Sequence, residues 1–186
     1  MRIIGGSLKG KTIDYLKNLN TRPLKDSVKE NIFNILHHSK LIDIKIKDAN
    51  ILDLYSGIGS FGIECISRGA KKIIFVEYDI NAANTLKKNL IKHSIANKAK
   101  LFNRKVEDTF GELKNEKFNI FFLDPPFSDK DFTKNLSLIK KKQMNKKKHV
   151  VIIHREKKNL DNFDNILNVL LVKKYGRSKI IFGLFN

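Results

Sequence analysis

Asn50-Ile-Leu-Asp-Leu-Tyr-Ser-Gly57-Ile-Gly59-Ser-Phe-Gly62 is the stretch on which the fold turns: an apolar run, a glycine-rich turn and the opening of a helix that continues to about Arg68. Glycine lacks a Cβ and takes positive φ at little cost, so such a turn lets the backbone close on a ligand. About twenty residues on, the run Lys72-Ile-Ile-Phe-Val-Glu77 ends in an acid, where a carboxylate can accept hydrogen bonds from both hydroxyls of a ribose. Turn and acid together predict a nucleoside-containing cofactor.

Outward from this unit the alternation repeats. A helix is expected from about Asn81 to His93, a strand from about Ala99 to Asn103, and a short helix around Val106 to Leu113. A strand follows over Phe118 to Leu123, then a helix near Phe132 to Ile139 and a strand over His149 to His154. Strands alternating with helices imply an α/β fold: a mostly parallel sheet covered on both faces, with ligands at the carboxyl ends of the strands. Leu167 to Lys174 and Ser178 to Phe185, joined by Tyr175-Gly176-Arg177, read as a closing hairpin, so one internal strand is expected to run antiparallel.

Upstream, Val28, Ile32, Phe33, Ile35 and Leu36 recur at helical spacing between Leu24 and about His38, with Asp26 and Glu30 early, where the helix dipole favours acids. Residues 1 to 23 carry Gly5, Gly6 and Gly10 between short apolar pieces and predict a small hairpin followed by an extended segment before Pro23. The expected organisation is an N-terminal hairpin extension over 1–23 and one catalytic domain over 24–186. The lysine run from Lys140 to Lys148, broken by Gln143, Met144 and Asn145, reads as a solvated loop after a helix.

Thirty-seven Lys and Arg against 19 Asp and Glu leave a formal charge of +18 across 186 residues, which a polyphosphate partner requires and a neutral metabolite does not. An AT-rich coding bias toward lysine is the competing source of that charge. The lone Cys65 excludes an internal disulfide and, inside the first crossover helix, reads as a packed small side chain. One thiol and five scattered histidines form no metal-ligand spacing, so no metal is expected. No stretch approaches the roughly 20 apolar residues that span a bilayer, which fits a soluble cytoplasmic protein.

The glycine turn supports two readings. Gly57-Ile-Gly59-Ser-Phe-Gly62 matches the dinucleotide fingerprint and allows a nicotinamide-dependent oxidoreductase. Asp53, just before the turn, opposes it: an acid there repels a pyrophosphate but attracts the ammonium of a methionine moiety, and S-adenosylmethionine also carries a sulfonium charge.

Asp124-Pro125-Pro126-Phe127 follows the apolar strand directly, at the edge of the sheet where this architecture places its chemistry. An amino group on an aromatic ring is a poor nucleophile because its lone pair is delocalised. A catalyst should therefore accept its hydrogen bonds and favour a pyramidal nitrogen, and Asp124 with the carbonyl of Pro125 offers two acceptors. Successive prolines rigidify the loop so that these stand in place beforehand, and Phe127 offers a face for stacking a base.

These residues resemble the RsmD-like 16S rRNA guanine-N2 methyltransferases of bacteria. The similarity covers essentially the whole chain: Met1-Arg-Ile-Ile-Gly-Gly6, Arg22-Pro23, Val28-Lys29-Glu30, Phe33-Asn34, the Asp53 to Gly62 loop, Glu77, and Asp124 to Phe127. It implies a Rossmann-like S-adenosylmethionine-dependent methyltransferase fold with a seven-stranded, mostly parallel sheet and an N-terminal β-hairpin extension. It also implies methyl transfer from S-adenosylmethionine to N2 of a guanine in 16S rRNA, within a 30S subunit or an assembly intermediate, by a monomer. By the same resemblance Asp53, Tyr55, Ser56, Gly57, Gly59, Glu77 and Asp124 would hold the cofactor. Lys105-Val106 falls where adenine is contacted, and Asp124, Pro125, Pro126 and Phe127 would hold the base. Arg22 would close the site or touch RNA. Members follow the Arg-Pro pair with threonine, whereas Leu24-Lys25 stands here. A flipped base needs its strand gripped through phosphate, so Arg2, Lys9, Lys11, Lys17, Arg22 and Lys25 are the expected RNA-docking cations, with amino methyltransfer to DNA or to protein glutamine as the alternative use of the loop.

Overall fold

The computed structural model describes residues 1–15 and 24–186; Lys17, Arg22 and Pro23 lie outside them. Seven strands form one sheet: β1 Asn50–Leu54, β2 Lys72–Val76, β3 Ala99–Phe102, β4 Phe118–Leu123, β5 Asn145–Glu156, β6 Leu167–Tyr175 and β7 Ser178–Phe185. Their spatial order is β3-β2-β1-β4-β5-β7-β6. The first five run parallel, and β7 runs antiparallel between β5 and β6, as the closing hairpin predicts. The order reverses at β1, where β2 lies on one side and β4 on the other, so the crevice above β1 is the place this topology offers a ligand.

Period-two alternation sorts the core into two layers. Ile51, Ile73, Phe75, Ile120, Phe122, Val150, Ile152, Ile180 and Phe182 face one side, against α1 (Asp26–His38), α2 (Ser60–Ser67) and α3 (Ile80–Lys92). Leu52, Leu54, Ile74, Val76, Phe121, Leu123, Val151, Ile153 and Ile181 face the other, against α4 (Phe132–Lys141) and Val106, Phe110 and Leu113. Every residue of α2 is buried, because this helix is wedged between the sheet and the N-terminal residues. α3 starts where the Asp79 side chain accepts a hydrogen bond from the Ala82 amide at 2.7 Å.

The N-terminal turn is closed by one antiparallel bridge, Arg2 to Thr12, around a 3-10 turn at Gly6–Leu8. It packs into the main body: Ile3, Leu8 and Ile13 join the first core layer. A buried polar knot ties it down. Glu64, 0% exposed, accepts from the Ile4 and Gly5 amides, both at 2.7 Å, and from Arg68 Nε at 2.8 Å. Lys29, also fully buried, donates to the Arg2 carbonyl at 2.8 Å and stands 3.9 Å from Glu64. Burial pushes the Lys29 ammonium below its ordinary pKa, while Glu64 and Asp26 oppose the shift.

Two expectations are corrected. Val106 to Leu113 holds only a 3-10 turn at Glu107–Thr109, since Gly111 interrupts any longer helix and the apolar residues there face the sheet without needing one. The lysine run is not a loop beyond Gln143. Asn145 opens β5 and pairs with Phe118, and Lys146 to Lys148 follow it in the strand, within the register shift before Val150 pairs with Ile120. Backbone pairing decides the matter, and lysine stems tolerate a sheet end with the ammonium in water.

Candidate active site

A cavity of about 780 Å³ opens above the carboxyl ends of β1, β2 and β4, and the three segments singled out in the sequence meet in it. Tyr55, Ser56 and Gly57 come from the turn after β1, Glu77 from the end of β2, and Asp124 to Phe127 from the end of β4. Lys105 and Val106 form part of the same wall, as do Tyr15 and Leu24. Asp53 and Gly59 lie beneath the turn and do not line it. Arg2, Lys9, Lys11 and Lys25 are exposed and outside the lining.

The turn is held from below and left open above. The Gly57 amide donates to Glu77 Oε2 at 2.7 Å, and the Asp79 amide donates to Oε1 at 2.8 Å. Each carboxylate oxygen keeps a free acceptor site for a ribose hydroxyl. Gly57 has φ +53°, and a Cβ built on it meets nothing within 4 Å, so the space it would fill is the cavity itself. Gly59, at φ +80°, is constrained differently: a Cβ there would strike Leu86 at 2.2 Å. Tyr55 also has positive φ, and its hydroxyl accepts from Asn135 Nδ2 at 2.9 Å, which fixes the ring against α4. Burial pushes its phenol pKa up.

Asp53 is 1% exposed; its Oδ2 accepts from the Gly62 amide at 3.0 Å, and its Oδ1 is buried with no partner among the described residues. Burial drives this carboxyl well above the usual range, opposed by the Gly62 hydrogen bond and reinforced by the charges of Asp124 and Glu77. Burial also raises Glu77. Glu77, Asp79, Glu107, Asp124, Asp129 and Asp131 outnumber Arg104 and Lys105 in the lining, which makes the cavity attractive to a cation and hostile to a pyrophosphate. The donor set thus fits a positively charged nucleoside.

Asp124 stands just past β4, its amide reaching the Leu54 carbonyl at 3.3 Å. Because Leu123 pairs with Ile153 in parallel register, the next residues, Asp124 and His154, stand side by side. His154 Nδ1 lies 2.8 Å from Asp124 Oδ1. A carboxylate can only accept, so Nδ1 carries the hydrogen, and Oδ2 is left for another donor. The Phe127 ring meets that of His154 edge-on, with centroids 5.7 Å apart.

Asn135, His154, Arg155, Asn159 and Asp161 belong to the site's surroundings and escaped the sequence reading. For His154 the signal was present: it ends an apolar strand at the same edge as Asp124.

Gly57→Val is expected to weaken S-adenosylhomocysteine binding by about tenfold or more, through the left-handed backbone penalty and the side chain entering the cavity, with the fold retained. Calorimetric titration checks it, and unchanged affinity would dissociate the turn from cofactor binding.

The sequence model of the family described as conserved hypothetical protein 95 matches residues 1–183. Ribosomal RNA small subunit methyltransferase D of Haemophilus influenzae is 35% identical over 160 residues, covering 84% of this chain and 79% of the relative. Its namesake in Buchnera aphidicola subsp. Baizongia pistaciae is 30% identical over 185 residues, covering 100% and 91%. Among solved structures, the candidate methyltransferase yhhF of Escherichia coli superposes with a TM-score of 0.82 at 26% identity, covering 98% of this chain and 96% of that one.

Proposed function

This chain belongs to the family of conserved hypothetical protein 95, the RsmD family, and on that premise we propose that it transfers a methyl group from S-adenosylmethionine to the exocyclic N2 of a guanine in 16S ribosomal RNA. The observation that carries the reading is that the Asp124 to Phe127 loop shares one cavity with the Gly57 turn and Glu77.

Each residue has a separate task. Glu77 accepts from the ribose, the turn at Tyr55 to Gly57 closes along the ligand, Lys105 and Val106 border the adenine, and buried Asp53 supports the turn by accepting from the Gly62 amide. Bound S-adenosylmethionine supplies an electrophilic methyl carbon on a sulfonium. Asp124 and the Pro125 carbonyl accept hydrogen bonds from the guanine amino group, concentrating its lone pair for in-line attack. Pro126 stiffens the loop, and Phe127 stacks on the base. None of these steps needs a covalent enzyme intermediate, and Cys65 is buried far from that role, its thiol pushed up by burial.

Residues 1–23 act as the RNA-docking extension in this proposal. Arg2, Lys9, Lys11 and Lys25 are exposed cations, and Lys9 and Lys11 flank the bend held by Ile3 and Gly10. Charge reversal at Lys9 and Lys11 is expected to weaken rRNA binding and to shallow the log affinity against log salt plot by about 0.7–0.9 per lost contact. Filter binding across a salt series measures both, and an unchanged slope rejects this surface.

The reaction itself is tested by labelled methyl transfer to 30S particles and to naked rRNA from cells lacking this protein, followed by nucleoside analysis. N2-methylguanosine is the expected product. Label in another nucleoside, or none in either substrate, overturns the assignment.

A further inference from the structure

We infer that the segment from His154 to Asp161 is a positioning clamp for the Asp124 to Phe127 loop, centred on the buried Arg155. The inference rests on the reading of that loop as the element that holds the base.

The loop braces itself only in part, where the Asp129 amide donates to the Pro126 carbonyl at 2.9 Å. Pro125 and Pro126 have no N–H, so the backbone between Asp124 and Phe127 offers few donors, and its carbonyls need partners from elsewhere. The further partners come from one short stretch, the end of β5 and the residues just after it. Arg155 Nη1 donates to the Pro126 carbonyl at 3.0 Å, and Nη2 donates to the Asp129 carbonyl at 3.0 Å. Asn159 Nδ2 donates to the Phe127 carbonyl at 2.8 Å, and His154 holds the Asp124 side chain. Every residue from Asp124 to Phe127 except Pro125 is thus held through a polar atom by this segment.

Arg155 is itself fixed. Its side chain is 1% exposed, its Nε and Nη2 reach the Asp161 carboxylate at 2.9–3.2 Å, and its guanidinium lies 4.3 Å from the centroid of the Phe132 ring. Lys179 of β7 also approaches Asp161, at 3.9 Å. A buried ion pair of this kind is a poor way to gain stability, since an apolar replacement of equal volume often does as well. A planar fork with donors in fixed directions is, however, a good way to set the orientation of several carbonyls together. With the Pro126 carbonyl committed to Arg155, the acceptor geometry presented to the guanine is set before the base arrives. A displacement approaching 1 Å at such a centre costs about 10²-fold in rate.

The test uses the full chain and three variants: Arg155→Lys, Asn159→Ala and Asp161→Asn. Single-turnover and steady-state methyl transfer to 30S particles or rRNA would separate kcat from KM, calorimetry with S-adenosylhomocysteine would read the cofactor site, and amide hydrogen exchange would read the loop. The expected result is a fall in kcat of about 10- to 100-fold for Arg155→Lys and about tenfold for Asn159→Ala. KM for RNA and S-adenosylhomocysteine affinity should stay within about twofold of wild type, and the Phe127 and Ser128 amides should exchange faster.

If Arg155→Lys and Asp161→Asn fail to fold, Asn159→Ala decides, since Asn159 is half-exposed and beyond the strand. Wild-type kcat and unchanged loop exchange in Asn159→Ala overturn the clamp. Should the wild-type protein methylate no rRNA at all, the function reading fails separately, and loop exchange alone then supports or overturns the clamp.

Discussion

Asp124→Ala is expected to lower methyl transfer by about 10²- to 10⁴-fold while S-adenosylhomocysteine still binds. The residue places one carboxylate oxygen on His154 and keeps the other available, so its removal takes away a positioned acceptor. The backbone should hold, because the Asp124 amide contact with Leu54 and the Arg155 contact with Pro126 do not involve the lost side chain. Single-turnover assays at saturating cofactor isolate the loss, and wild-type activity in the variant would remove Asp124 from the reaction.

The largest expected effect on stability lies far from that centre. Glu64→Ala should cost about 3–5 kcal/mol, because it strips three donors of their shared acceptor and leaves Lys29 buried without its deepest counter-charge. For a chain of this size the melting temperature should fall by roughly 10 °C. Adding Lys29→Met should recover part of the loss, since the uncompensated ammonium is then gone, and the double variant should be less destabilised than the sum of the singles. Scanning calorimetry reads both. A loss under about 1 kcal/mol would mean that the knot does not fasten the N-terminal turn.

How much of this could be read in advance follows from what side chains report. The strands at Asn50–Leu54, Lys72–Val76 and Phe118–Leu123 are apolar runs bounded by polar residues, and the glycine turn has a conformational need that composition reveals, so the mostly parallel sheet, the ligand end of its strands and the Asp124 loop were legible, while the strand order was not. Lys146 to Lys148 were not, because they bridge the register shift between the Asn145 and Val150 pairs with β4 and their side chains carry no alternation that betrays a strand. Arg155, Asn159 and Asp161 were hidden for another reason. As isolated polar residues at and after a strand end they resemble any solvated stretch, and only the parallel register that sets Ile153 beside Leu123 carries them under the proline loop. Arg155 illustrates the difficulty: a charged residue closing a strand reads as an exposed end, yet it is among the largest fully buried side chains.

The antiparallel strand β7 bears on how the protein matures on its way out of the synthesis machinery. β5 pairs with β4 on one side and with residues 178–185 on the other, including His154 with Ile180 and Arg155 with Lys179. Until residues 178–185 emerge, β5 is an open edge, able to pair with other chains. The strand that supports the proline loop is therefore completed only once residues 178–185 have been made, well after the turn that follows β1. A nascent chain would form the turn after β1 first and the support of its proline loop later, which ties the finished loop to closure of the sheet.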